Sequence, residues 1–572
     1  MPERSAPRYI KIFFWFAGIA GSLLLLAFLV SLWLPTYFKN ELDAALKKSV
    51  VDASDGLYKI DYQSININIP LGNAEVKGVN LTTDSTRYEY LLKNNTAPNH
   101  RFLLRAETIR LSGVSLMRLF FLNSLSIQEI LIDRPVAEIV HDPQSYNEKK
   151  QSQTPYQLIS KVLKSIRIDK ISLNNVDFTY VNHSVESQKP QKSYLKKVFL
   201  DVSDFLINED SEQDSSRIFY SQNITLEAEG LELPSGNAMY VFRMAQLSLS
   251  THDSTLQVKN VHYQPLFSKA DFSKKLGRAV DRLDLEFKNI KATQVDMKRF
   301  LADRQLFARN LYIDAGLMDI YKDKRYTQID NSKMGKYPHQ ILLKSKLRVG
   351  FDKVHLKSTR VRYGEMNEKT NRSGAVFFDG TQGTITNLTN DPEWIRRNGH
   401  CKVQVSTRFM NQGSLATYFD FDLASPRGAF RCGGVMKDFE MTHLNEVTEA
   451  LALASIRSGK VSRLEFSVQA TDTQSSIKTE LHYDDLEVDI LKMDKDSDDL
   501  KKRSLLSRIL NNVIINENNP RGNRPARVGE AVIERAADES FFNLIWHSLF
   551  VSIKQITIGR GRQQAKREKR AS

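Results

Sequence analysis

The feature that most limits the possible folds is an apolar alternation of period two that recurs along most of the chain. Ile65, Ile67 and Ile69 fall on one side of an extended strand, as do Ile166 and Ile168, Ile171 and Leu173, and Val176, Phe178 and Tyr180. The spacing returns at Ile224, Leu226 and Ala228, at Leu283, Leu285 and Phe287, at Phe419, Phe421 and Leu423, and at Leu464, Phe466 and Val468. Successive strand side chains point to opposite faces, so this pattern predicts antiparallel sheet with one face shielded from water. Helical spacing is rarer. It predicts short helices near Ser115–Leu122 and Asp296–Asp303, and longer ones over Thr442–Ile456, Leu500–Asn512 and Ser540–Ile556. A long sheet with so few helices must still cover its apolar face. It can close on itself as a sandwich or barrel, or curl into an open groove and cover the inside with an apolar ligand.

The chain also repeats itself. Residues 106–142 align without a gap on residues 287–323, with eight identities in 37 positions, among them Ile109/Ile290, Arg118/Arg299, Asp133/Asp314 and Asp142/Asp323. Downstream, IDKISLNNVDFTY at 168–180 lies over FDKVHLKSTRVRY at 351–363, and VFLD at 198–201 over VFFD at 376–379. Three matches in one order at nearly constant offset indicate a duplication. Repeats of this kind build an elongated sheet in which each unit needs its neighbour to bury its apolar face.

One segment does not belong to the sheet. Ile12–Leu34 reads IFFWFAGIAGSLLLLAFLVSLWL, 23 residues without a charge, with Trp15 and Trp33 near its ends. At about 1.5 Å per residue it is long enough for a hydrocarbon core of about 30 Å. Arg4, Arg8 and Lys11 precede it and a mixed-charge stretch follows, so the positive-inside bias puts the N-terminus in the cytoplasm and the body beyond the membrane. A cleaved signal peptide is the alternative, but its apolar core is shorter and ends in a small-x-small site, which SLWLPTYF does not offer. No other run approaches this length, and a mean hydropathy of −0.39 excludes a polytopic membrane protein. Two cysteines in 572 residues exclude a disulfide-stapled scaffold. The net charge of +14 favours anionic partners, and a body held at a membrane makes a phospholipid surface the expected one rather than nucleic acid.

The region Gly413–Leu491 resembles the C-terminal part of the AsmA-like family of bacterial envelope proteins. It carries a strand pair, the turn Asp438, Phe439, Thr442, Leu444 and Asn445, a short helix, the run Ile456–Lys460, and a closing Tyr483–Leu486. Leu103–Val140, with Pro135 at its turn, is similar to that family's strand–helix–strand–Pro–strand element. The family is itself similar to the chorein-type bridge-like lipid transfer proteins. The resemblance implies a mainly β fold, an N-terminal transmembrane helix followed by an elongated antiparallel β-groove, and passage of glycerophospholipid from the inner toward the outer membrane without catalysis or cofactor. On this reading the chain divides into a cytoplasmic N-terminus (1–11), the anchor (12–34), first periplasmic strands (35–102), groove repeats at 103–283 and 284–400, a C-terminal β block (401–492), a helical segment (493–558) and a basic tail (559–572). Candidate groove residues are Ile168, Leu173, Phe178, Leu226, Leu285, Phe287, Phe419, Phe421 and Phe466. Its partners are phospholipids, the inner membrane and an outer-membrane or periplasmic protein. The alternative from another class is a self-filled, non-catalytic scaffold for outer-membrane protein or lipopolysaccharide assembly.

Phe541, Phe542, Ile545, Trp546 and Leu549 recur at near-helical spacing before a tail with six cations, Arg560 to Arg570, and one acid, Glu568. This segment either lies in a bilayer interface or caps the sheet. Cys401 and Cys432 either pair or stay free. His400 beside Cys401 has no further ligand at metal spacing, so no metal site is expected. Arg118 and Arg299, at matching repeat positions, either contact headgroups or form structural ion pairs. Asp484 and Asp485 read as a strand edge rather than a catalytic pair, and no nucleophile, zinc-protease or phosphate-loop motif has a supporting context.

Overall fold

The computed structural model describes residues 44 to 558, except 45–46, 49, 53, 69–70, 148–155, 157–158, 161–162, 184–190, 212, 328–331, 494–499, 504–506, 508–510 and 512–514. Ile12–Leu34 and the basic tail lie outside them. No helix among the described residues is long and apolar enough to cross a membrane. The fold is mainly β, dominated by antiparallel sheet with few short helices. It comprises two units: residues to Pro234 with Phe242–Asn260 and Thr293–Gln305, and Ser235–Val241 with Val261–Ala292 and everything from Leu306.

The elements run β1 (Tyr58–Asp61), β2 (Ser64–Asn68), β3 (Asn73–Thr83), α1 (Ser85–Lys93), β4 (His100–Ser112), α2 (Leu116–Leu122), β5 (Ser124–Asp133), β6 (Val136–His141), β7 (Ser165–Asn182), β8 (Gln191–Ile207) and β9 (Asn223–Pro234). Then come β10 (Tyr240–Ser250), β11 (Thr255–Pro265), α3 (Lys269–Leu276), β12 (Asp281–Val295), a single π-turn (Arg299–Asp303) and β13 (Leu306–Asp323). The chain continues through α4 (Pro338–Leu343), β14 (Val349–Met366), β15 (Ser373–Thr389), α5 (Pro392–Arg397), β16 (His400–Phe409), β17 (Gly413–Asp422) and β18 (Phe430–Glu440). It closes with α6 (Asn445–Ala452), β19 (Ala454–Ala470), β20 (Gln474–Met493), β21 (Leu500–Lys502), β22 (Val528–Glu534) and α7 (Phe541–Thr557).

Two expected helices change. The one over Thr442–Ile456 stops at Ala452, because Leu453 is left-handed (φ 54°) and Ile456 already pairs with Val488. Leu500–Lys502, expected to open a helix, is a strand on Leu491–Met493. The rest of that expected helix falls mostly outside the described residues.

The duplication is visible in the backbone. Gly113, Asn123 and Arg134 are left-handed, and so are Gln294, Arg304 and Ala315, each 181 positions on. Asn175 and its counterpart Ser358 are left-handed too. They sit inside the same β-bulge, between Leu173 and Val176 on β7 and between Leu356 and Thr359 on β14. Bulges bend and twist a strand, so both copies kink their long hairpin at one place.

Each copy also contains one parallel step in an otherwise antiparallel ladder. β5 and β6 run parallel to β7, with Leu125 opposite Ile166. β13 runs parallel to β14, with the equivalent Leu306 opposite Val349. A parallel step cannot be made by a hairpin; the chain must travel back across a face of the sheet. The described residues of the two crossovers act as straps. In the first unit Ile159 and Leu163 of the strap join the apolar core. In the second, Tyr337 of the strap is fully buried in that unit's core.

Candidate functional site

Register turns the alternation into continuous apolar rows running across the strands. In the first unit Ile65, Val76, Ile109, Ile132, Leu173, Leu200 and Leu226 stand opposite one another from β2 to β9. Beside them on the same face run Ile67, Ala74, Leu111, Ile130, Ile171, Val202 and Ile224. At about 4.8 Å per strand each row spans about 29 Å. Most of these side chains are buried within one core, together with Val50 and Leu163.

In the second unit one row runs from Leu311 on β13 through Val354, Ile385, Val403, Phe419, Cys432, Val468 and Ile477 to Ala531 on β22. Leu311, Ile385, Val403 and Phe419 are only half-buried, whereas Val354 on β14 and, toward β22, Cys432, Val468 and Ile477 are buried. The difference lies in what covers them. Toward β18–β22 the face carries α7 and the second strap. Phe541 of α7 lies 5.8 Å from the Phe421 ring and 4.9 Å from Phe430, and His339 of the strap lies 5.0 Å from Phe421.

A buried clasp fixes this cover. The Arg535 guanidinium, with no exposed side chain, donates to Asp472 Oδ1 (3.1 Å) and to the carbonyls of Lys333 and Glu539, and stacks 4.2 Å from the Tyr337 ring. Asp472 also accepts from Gly335 N and Gln340 Nε2, and Tyr337 donates to the Thr471 carbonyl. The strap is thereby tied to the β19–β20 turn. Burial in this place lowers the His339 imidazole to about 4, against the pull of Asp472 and Asp422.

The candidate groove residues fall into two environments. Ile168, Leu173 and Phe421 are buried, while Phe178, Leu226, Leu285, Phe287, Phe419 and Phe466 are half-buried. Sequence reasoning missed Leu311, Ile385 and Val403, although the Lys402–Val405 alternation was there to be read. It also missed Tyr337 and His339, isolated aromatic residues in a polar stretch that carries no period.

Helix α7 caps the sheet with one of its faces. Phe541, Leu544, Ser548, Ser552 and Ile556 face the sheet. Ser548 and Ser552 each share a 2.7 Å hydrogen bond, with Ser475 and Thr479 on β20. A Cβ on Gly529 of β22 would overlap the Ser552 carbonyl oxygen, so glycine permits this close approach. Phe541, expected at a membrane, therefore belongs to the core, and Ile545 and Leu549 are half-buried at its margin. Phe542, Trp546 and the unforeseen Phe550 form an outward stripe, 63%, 51% and 57% exposed.

On the opposite face of the second unit the register aligns Tyr312, His355, Thr384, Gln404, Tyr418, Gly433, Ser467 and Lys478. A concavity of about 1010 Å³ is lined by this row from Tyr312 to Tyr418 and by Ser467 and Lys478, together with Leu356, Val405 and the candidate groove residue Phe466. Tyr312 stacks on His355 at 4.7 Å, and Tyr418 lies over Gly433.

Cys401 and Cys432 are buried free thiols on the two strands flanking β17, opposite Phe421 and Phe419 respectively. With a strand between them they stand about 10 Å apart, beyond disulfide reach. Burial pushes both thiols up to about 12. Arg299 pairs with Asp296 (3.3 Å), whereas Arg118 makes no ion pair among the described residues. His262, Asp284 and Glu286 cluster, with His262 Nε2 2.8 Å from Asp284 and 3.5 Å from Glu286, and Arg282 lies 3.4 Å from the other Asp284 oxygen. No family model and no curated protein matches the chain.

Proposed function

We propose that the protein is an AsmA-like, membrane-anchored lipid-binding protein of the bacterial envelope, which carries glycerophospholipid acyl chains on the apolar sheet face on their way from the inner toward the outer membrane. One observation carries the reading: the half-buried stretch Ile385, Val403 and Phe419 on three successive strands, part of one apolar row that runs from Leu311 through buried Val354 to Ala531. Nine strands at about 4.8 Å make that row about 38 Å long. A bilayer core of about 30 Å holds two leaflets, so one acyl chain is shorter than the row. Such a face binds hydrocarbon by excluding water and asks for no catalytic group. The anchor Ile12–Leu34 sets the body beside the membrane that supplies the lipid.

A second reading, the self-filled scaffold, draws on a different observation. Phe421 is sealed beneath Tyr337, His339 and Phe541, and most of the first unit's rows are buried. The two readings diverge at Val403. A photoreactive benzophenone residue there, in the full-length protein, is expected to crosslink to co-purifying phospholipid, and the same residue at exposed Tyr90 is not. No lipid adduct at Val403, in a protein that remains folded, would overturn the lipid reading in favour of the scaffold.

A further inference from the structure

We propose that one rim of the first unit, made of the turn at Leu71, helix α2 and the start of β7, docks onto an anionic phospholipid surface. Its apolar side chains are among the most exposed of the described residues: Leu71 65%, Met117 72%, Phe121 78% and Leu122 57%. They are held outward by a fixed support. Ser115 caps α2 by accepting from Arg118 N, and the helix ends at left-handed Asn123. Val114 N donates to the Gly72 carbonyl (3.0 Å), and Lys164 N donates to the Asn123 carbonyl (2.7 Å). The fold thus gathers the described residues of 64–74, 113–128 and 156–168 at one place.

Those three segments contain no aspartate or glutamate, although the chain as a whole carries 67 in 572 residues. Exposed Arg118 and Lys164 border the tip, and neither pairs with a carboxylate among the described residues. Glu75, Glu129 and Asp169 follow these segments directly, and Arg167 pairs with Asp169 and Asp204, so among the described residues the free cations at the tip itself are Arg118 and Lys164. Apolar side chains projecting beside them suit a headgroup layer, where the cations meet phosphate and the tip meets acyl chains. The duplication supplies an internal control. The counterparts of Met117, Phe121 and Leu122 in the second copy are Lys298, Ala302 and Asp303. The scaffold of the element was kept in both copies, but only the copy nearer in sequence to Ile12–Leu34 has the apolar tip.

The inference rests on the reading of Ile12–Leu34 as an anchor. The test uses full-length protein in vesicles of phosphatidylethanolamine and phosphatidylglycerol, with an environment-sensitive fluorophore on Met117→Cys or, as the second-copy control, Lys298→Cys. Buried Cys401 and Cys432 leave the introduced thiol as the site of labelling. The label at 117 is expected to be blue-shifted and severalfold brighter than at 298, and quenched by nitroxides carried on lipid chains. Arg118→Glu with Lys164→Glu, both at exposed positions, is expected to return the emission at 117 toward that at 298. Equal, water-like emission at the two sites would overturn the inference, as would emission at 117 that charge reversal leaves unmoved. The Val403 crosslink, measured on the same preparation, reports separately on lipid carriage, so either can fail while the other stands.

Discussion

At the scale of single residues, the second unit depends on a few buried polar groups. Removing one partner of a buried ion pair strands the other charge, which typically costs about 3–5 kcal/mol. Arg535→Ala should destabilise the protein by about that amount in denaturant titration, since it unties Asp472, the Lys333 carbonyl and the Tyr337 ring together. His339 gives a pH signature. Its folded-state value of about 4 lies below the ordinary 6.5, so the unfolded chain binds the proton more readily. Stability is full above about pH 6.5 and falls as pH drops toward 4. Between pH 7.5 and pH 5 the loss should be about 2 kcal/mol, and His339→Phe should remove that part of the slope. An unchanged slope in the variant would show that other groups dominate.

At the scale of elements, the repeated left-handed residues are the testable punctuation. Ala315 adopts φ 50°, which costs a residue with a Cβ about 1–2 kcal/mol. Ala315→Gly should therefore stabilise by about 1 kcal/mol, and Ala315→Val should destabilise, in thermal or chemical unfolding. Helix α7 offers a paired test. Gly529→Ala should weaken its seat on β20 and β22 and lower the unfolding midpoint, because the new Cβ meets Ser552 backbone. Trp546→Ser, on the outward stripe, should leave stability within about 0.5 kcal/mol. These contrasts mark how far the sequence could be read. Strands such as Phe419–Leu423 were legible because burial on one face forces alternation. The duplication was legible because its apolar positions and Asp133/Asp314 persist. Phe541 and Phe542 were not separable, since two adjacent apolar residues satisfy a helical period whichever faces the core. Leu500–Lys502 resembled a helix because a three-residue strand is too short to display a period.

At the scale of the whole molecule, the lipid reading makes a countable prediction. Gently purified full-length protein should retain phospholipid beyond that of its anchor. Val403→Asp should reduce that excess while leaving the fold intact, since the site is half-buried. Phe421→Asp should unfold the second unit, because it buries an unpaired charge among Phe430, Phe541 and His339. Native mass spectrometry with a circular dichroism control reads both. The apolar rows were implicit in the alternation, but their register was not, because it is fixed by bulges and by the parallel steps. Those steps have a consequence for traffic. Every parallel step obliges the chain to throw a bridge over the face that its neighbours keep greasy, and the duplication provides two. A hydrocarbon tail moving along either face must slide beneath a bridge or leave the track. At the second bridge Tyr337, His339 and Phe541 together close over Phe421 and Phe430, so on the lipid reading this is where the traffic would be throttled.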